Sequence, residues 1–276
     1  MQSSNNQKIL YDLKPNAKIK FNGVFIKIPS STIEISSQGI RDYEYPIQKE
    51  RGKYRIIILG DSIAFGWGIE LQQTLSKELE RSLNKAGKRY EVLNFSVPTY
   101  NTVQEVETLT TKCLAYNPDL VIFVVTENDK EPLCNYYYPF SFLRYSPDFI
   151  YKSHFITAMM GMFVNYSRHI NSSESAIKKG LIEIDQAIKK LDESTKANNI
   201  KVLFYRGNRP WLRMILAKYG LDANIIDSKI NFQAQPELVI EKNDGHPSAV
   251  GHRMMAQEID EYLNKLGYFQ ADRIYN

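Results

Sequence analysis

Three short stretches of this chain carry side chains whose types suit acyl transfer. Gly60-Asp61-Ser62 sets a serine hydroxyl just after the apolar run Ile56-Ile57-Ile58-Leu59. Asp244-Gly245-His246 sets a carboxylate two residues before an imidazole, and Glu127-Asn128-Asp129 offers a carboxamide between two acids. Serine is a weak nucleophile until a neighbouring imidazole takes its proton. The imidazole needs a carboxylate on its other nitrogen to fix the tautomer, and the developing oxyanion needs N–H donors. Ser62, His246, Asp244 and Asn128 are of the right types for nucleophile, base, acid and oxyanion donor. Each also has an ordinary structural reading, since serines end strands, aspartates cap helices and asparagines tie loops. Convergence on one place is what separates the two readings.

The elements that must position these groups alternate along the chain from Tyr54 onward. Short apolar runs at 56–59, 91–95, 120–125, 201–205 and 224–226 read as strands. Amphipathic stretches at about 71–86, 103–116, 174–197, 211–219 and 248–263 read as helices, with Gly87 and Pro118 as stops and Pro247-Ser248 as a start. This order implies an α/β domain of three layers, a parallel sheet of about five strands covered by helices on both faces. Loops after parallel strands open on one edge, where ligands bind. Ser62 follows the first strand, Asn94–Thr99 the second, Asn128 the third and Arg206 the fourth, and the last helix can carry His246 to the same edge. The first 50 residues differ. Val24–Ile28 and Thr32–Ser36 have strand composition and are joined by Pro29-Ser30-Ser31. The expected division is a small N-terminal β extension over 1–50, packed on a main domain over 51–276.

Composition narrows the function classes. The 276 residues are 43% hydrophobic and 24% charged, enough to bury a sizeable core. The net charge of +4 is spread along the chain, which argues against a nucleic-acid partner. Two cysteines, Cys113 and Cys134, form no metal pattern and no disulfide framework, and Cys113 reads as a small buried hydrophobe. No apolar h-region follows Met1, so no secretory signal is expected. The run Phe155–Val164 falls well short of the ~20 residues of a membrane span. The aromatic stretch from Tyr136 to Phe149 reads either as a lid over the site or as a satellite core, and Met159, Met160 and Met162 read as core filler.

Together these motifs resemble the SGNH (GDSL-type) hydrolases, a superfamily of serine esterases and lipases on a flavodoxin-like sheet. Gly60-Asp61-Ser62 matches its first block, Asn94–Thr99 lies over the second, Glu127-Asn128-Asp129 matches the third and Asp244-Gly245-His246-Pro247 the last. The resemblance runs from about Tyr54 to Leu266 with order and spacing intact. It implies Ser62 as nucleophile, His246 as base and Asp244 as acid. It also implies an oxyanion hole from Asn128 and the backbone N–H groups of Ser62 and Thr99. Two positions depart from the pattern: Thr99 stands where the family has a glycine, and Glu127 stands where it usually has another. The implied activity is hydrolysis of a carboxylic ester, with O-acyl groups on carbohydrate among the candidates, and with no metal and no organic cofactor. An O-acyltransferase on cell-surface polysaccharide and a low-activity carbohydrate-binding module on the same fold are the alternatives. Arg41, Trp67, Tyr100 and Arg206 are candidates for the substrate wall.

Overall fold

The computed structural model describes residues 1–21, 31–87, 89–133, 173–241 and 245–268. The aromatic stretch, the three methionines, Cys134 and Asp244 lie outside the described residues.

Four short strands come first. β1 (Gln2–Ser3) pairs antiparallel with β2 (Tyr11–Asp12), and β3 (Lys18–Phe21) pairs antiparallel with β4 (Ser31–Glu34). The expected hairpin is therefore present with a different partner. Ser31–Glu34 pairs with Lys18–Phe21, a stretch of only four residues alternating lysine with an apolar side chain, while Val24–Ile28 lies outside the described residues.

Five strands then form one parallel sheet: β5 (Tyr54–Gly60), β6 (Tyr90–Asn94), β7 (Leu120–Val124), β8 (Lys201–Tyr205) and β9 (Ile225–Ile226), in the order β6-β5-β7-β8-β9. Each central strand is buried on both faces, which explains its unbroken apolar run. Ile56, Ile57, Ile58 and Leu59 have no exposed surface, and burial of such side chains stabilises by about 1.5–3 kcal/mol each.

Alternate residues face opposite layers. Ile57, Leu59, Val121, Phe123, Val202 and Phe204 pack against α3 (Thr102–Thr111), α4 (Glu174–Ala197) and α5 (Pro210–Ala217). Ile56, Ile58, Ile122, Val124, Leu203 and Tyr205 pack against α1 (Ser62–Phe65), α2 (Leu75–Leu83) and α6 (Ala249–Lys265). The three-layer α/β/α fold expected from the element order is the one observed. Cys113 is wholly buried in the first of these layers. Among the described residues no helix is long and apolar enough to cross a membrane.

The strand order fixes where a site can form. From β5 the chain steps to one side for β6 and to the other for β7, so the loops after β5 and β7 diverge and leave a crevice at their C-terminal ends. Ser62 and Asn128 stand on the two sides of that crevice.

Candidate active site

The turn that carries Ser62 is built by close approach. A Cβ on Gly60 would lie 2.7 Å from the Ala64 Cβ and 3.2 Å from the Val124 Cβ, so only glycine lets α1 fold back onto the sheet here. Asp61 caps α1, its carboxylate accepting from the Ile63 N–H at 2.9 Å. Gly66 ends the helix in the left-handed region at φ 84°. Ser62 is the first residue of this helix, so its own N–H has no intrahelical partner and is free to serve an anion.

His246 meets Ser62 from the far end of the chain. Its Nε2 lies 2.8 Å from the Ser62 Oγ, a contact between residues 184 positions apart. The His246 carbonyl accepts from the Ile240 N–H at 2.9 Å, Pro247 bridges to Val239, and Ser248 caps α6 through the Gly251 N–H. The Trp67 ring lies beside the imidazole, centroid to centroid 6.3 Å. Asp244, the expected acid, lies outside the described residues.

Thr99 and Asn128, the expected oxyanion donors, follow β6 and β7. Thr99 has φ 65°, the left-handed region that suits glycine and that costs a β-branched residue on the order of 1–3 kcal/mol. Threonine therefore adopts the backbone conformation that a glycine would adopt there. The Asn128 Oδ1 accepts from the Thr126 hydroxyl at 2.5 Å, which leaves the amide N–H groups of this half-buried side chain to point elsewhere. Glu127 does not leave a bare carboxylate at the site. It is ion-paired to both Arg209 and Lys130, so its charge is compensated at the rim.

Beneath the Ser62 turn lies a group of buried acids. Asp61, Asp129 and Glu105 are 5%, 0% and 1% exposed. Burial pushes the Asp129 carboxyl up to about 7, with the neighbouring Asp61 charge adding to the shift. Burial, then Asp129 and Asp61, raises Glu105 well above the usual carboxylate range. Burial also raises Asp61, opposed by the Ile63 N–H, the Thr126 hydroxyl, the His246 charge and the Asn128 amide. Thr126 Oγ1 lies 3.1 Å from Asp61 Oδ2, 2.5 Å from Asn128 Oδ1 and 3.2 Å from Asp129 Oδ2. A hydroxyl has one hydrogen to give. More than one of these contacts is a hydrogen bond only if a carboxyl brings a proton of its own. Thr126 with Asp129 forms a capping box, a signal legible in the sequence as Thr-x-x-Asp after a strand.

Two of the four substrate-wall candidates are displaced by the structure. Arg41 is wholly buried, donating from Nη1 to the Phe65 carbonyl at 2.9 Å and to that of Gly66, and from Nη2 to the Ile69 carbonyl at 2.5 Å. Burial lowers its pKa to about 10. It braces the loop behind Ser62 and does not meet solvent. Tyr100 is also wholly buried, and its hydroxyl donates to the Tyr11 carbonyl at 2.5 Å. Trp67 is half-buried beside the imidazole. Arg206 is half-buried, its guanidinium 5.1 Å from the Phe232 ring centre.

The fold is a flavodoxin-like α/β/α sandwich, and a solved esterase shares it. The psychrotrophic esterase EstA from Pseudoalteromonas sp., in a structure inhibited by monoethylphosphonate, matches with a TM-score of 0.51 and 14% identity, over 78% of this chain and 98% of its own. TesA matches with a TM-score of 0.48 and 15% identity, over 77% of this chain and 99% of its own. A GDSL-like lipase from Bacteroides thetaiotaomicron VPI-5482 matches with a TM-score of 0.45 and 14% identity, over 79% and 92%. At such identities the likeness is one of fold. No protein-family model and no curated protein matches the sequence.

Proposed function

We propose that this chain is a serine ester hydrolase of the SGNH (GDSL) type. The observation that carries the reading is the 2.8 Å contact of His246 Nε2 with Ser62 Oγ, at the edge of the sheet where Thr99 and Asn128 also stand. Ser62 Oγ attacks the ester carbonyl carbon while His246 Nε2 takes the hydroxyl proton. The tetrahedral oxyanion is held by the N–H groups of Ser62 and Thr99 and by the Asn128 amide. The intermediate collapses, the C–O bond to the alcohol breaks, and His246 returns the proton to the departing oxygen. Water then attacks the acyl-enzyme with His246 again as base, releasing the carboxylic acid and restoring Ser62. By the family resemblance, Asp244 orients His246.

The two departures from the family pattern weigh less in this setting. Thr99 has the φ of a glycine, and the Glu127 charge is compensated by Arg209 and Lys130. Both favour an active enzyme over a binding module that has lost its oxyanion hole. Water is the acyl acceptor in this reading, and esters carried on carbohydrate are the substrates to try first. A transferase would put a sugar hydroxyl in the place of water after the same first step.

A fluorophosphonate probe tests the attack step directly. One label per protein is expected on the wild type and none on Ser62→Ala. A folded wild type that takes no label overturns the proposal. Ester turnover with and without a panel of sugar acceptors then separates water from sugar as the acceptor.

A further inference from the structure

Thr99 is held in its left-handed conformation from outside its own loop. The Thr99 hydroxyl donates to the Pro98 carbonyl at 2.7 Å. The Tyr11 hydroxyl lies 2.5 Å from the Thr99 Oγ1 and 3.2 Å from the same Pro98 carbonyl. Three polar groups thus close a triangle in which the two hydroxyls meet each other and both face the Pro98 carbonyl. The peptide between Pro98 and Thr99 is trans, so its carbonyl and its N–H point in opposite directions. Fixing the carbonyl against Tyr11 aims the Thr99 N–H the other way. Among the described residues nothing accepts from that N–H.

Tyr11 is itself well placed to hold. It is 1% exposed and packs with Ile9, Leu13, Ile33, Val97 and Tyr100. Its ring meets that of Tyr100 edge-on, centroids 5.3 Å apart. Its carbonyl accepts from the Tyr100 hydroxyl, and the preceding Ile9 carbonyl accepts from Gln104 Nε2 at 2.9 Å. The anchoring side chains therefore come from the loop after β6 and the start of α3, which also carry Thr99.

We infer that Tyr11 is a positioning residue for the oxyanion hole: its hydroxyl holds Thr99 in the conformation a glycine would adopt, so that the N-terminal segment completes the site of the main sheet. The inference rests on the serine hydrolase reading for its catalytic consequence, while its conformational part stands on the geometry alone. A glycine at position 99 reaches φ near 65° without help. A threonine there needs the tether, because its Cβ disfavours that region.

The test is a double-mutant cycle between Tyr11→Phe and Thr99→Gly, read by kcat and KM on a chromogenic short-chain ester. Tyr11→Phe keeps the ring and its packing and removes only the hydroxyl. In the wild-type background it is expected to lower kcat about tenfold, with KM within twofold and the melting temperature little changed. In the Thr99→Gly background the same change is expected to cost less than twofold in kcat. Full kcat in Tyr11→Phe, or an equal loss in both backgrounds, overturns the inference, since a general packing role would not depend on residue 99. A wild type that takes no fluorophosphonate label overturns the hydrolase reading instead. In that event the crystal structure of Tyr11→Phe decides the tether: Thr99 leaving the left-handed region supports it, and Thr99 staying near φ 65° overturns it.

Discussion

Two turns at the same sheet edge are held in opposite ways. The turn after β5 is shaped mostly by its own residues, with one brace from outside it. Gly60 permits the fold-back, Asp61 caps the helix it starts, Gly66 ends that helix, and Arg41 collects the carbonyls behind it. The turn after β6 is held by a distant segment, since its strained residue, Thr99, is tied to Tyr11, 88 positions earlier. Local rules shape the Ser62 turn, and the Arg41 brace completes it. A donor amide in a conformation foreign to its residue type depends on an external contact.

That contrast can be broken at several points. In the proposed hydrolase reading the largest effect falls on the base: His246→Ala is expected to lower turnover by about 10⁴-fold or more with the fold intact, measured as initial rates and checked by circular dichroism. Arg41→Ala strikes the outside brace of the Ser62 turn. It strips donors from three buried carbonyls and is expected to cost at least about 3 kcal/mol of stability in denaturant unfolding. A change below 1 kcal/mol there would show that the turn does not need its brace. In the proposed hydrolase reading Asn128→Ala removes a single oxyanion donor and should reduce kcat by about 10²–10³-fold while the melting temperature stays close to that of the wild type.

The buried acids give a pH signature that neither turn alone would produce. Their folded-state pKa values are raised, so the folded protein binds more protons than the unfolded chain between the ordinary carboxylate range and about 7. Stability should therefore fall as pH rises through that window, by at most about 4 kcal/mol for Asp129. Asp129→Asn should flatten the curve, and melting temperatures at pH 5 and pH 8 would read it. Burial holds the His252 pKa down to about 3, which adds an opposite slope below pH 6.5, so the wild type is compared with Asp129→Asn: an equal pH 5 to pH 8 change in both would contradict the assignment. The smallest effect belongs to the rim: Glu127→Gln releases an exposed ion-paired carboxylate, and we expect under about 1 kcal/mol of stability and less than about threefold in kcat.

What could be read from the sequence follows the same division. The strands of the main sheet were legible because burial on both faces leaves unbroken apolar runs, as in Ile56–Leu59 and Leu120–Val124. The last two turns of the expected helix over 103–116 were not, since α3 stops at Thr111 and a separate 3₁₀ turn covers Cys113–Tyr116. The Ser62 turn was legible because glycine, aspartate and serine each act within a few residues. The burial of Arg41 is not legible locally, because the three backbone carbonyls its guanidinium meets lie 24 to 28 residues further along the chain. Nothing around Tyr11 announces its contact with Thr99, because a contact across 88 residues leaves no local pattern.

The Ser62–His246 contact also sets a clock. A chain made at ~5–20 residues per second separates the two by roughly 10–40 s. For that interval the serine turn has been synthesised and its base has not. In this reading the growing chain is inert toward the esters around it, and activity arrives with the last helix.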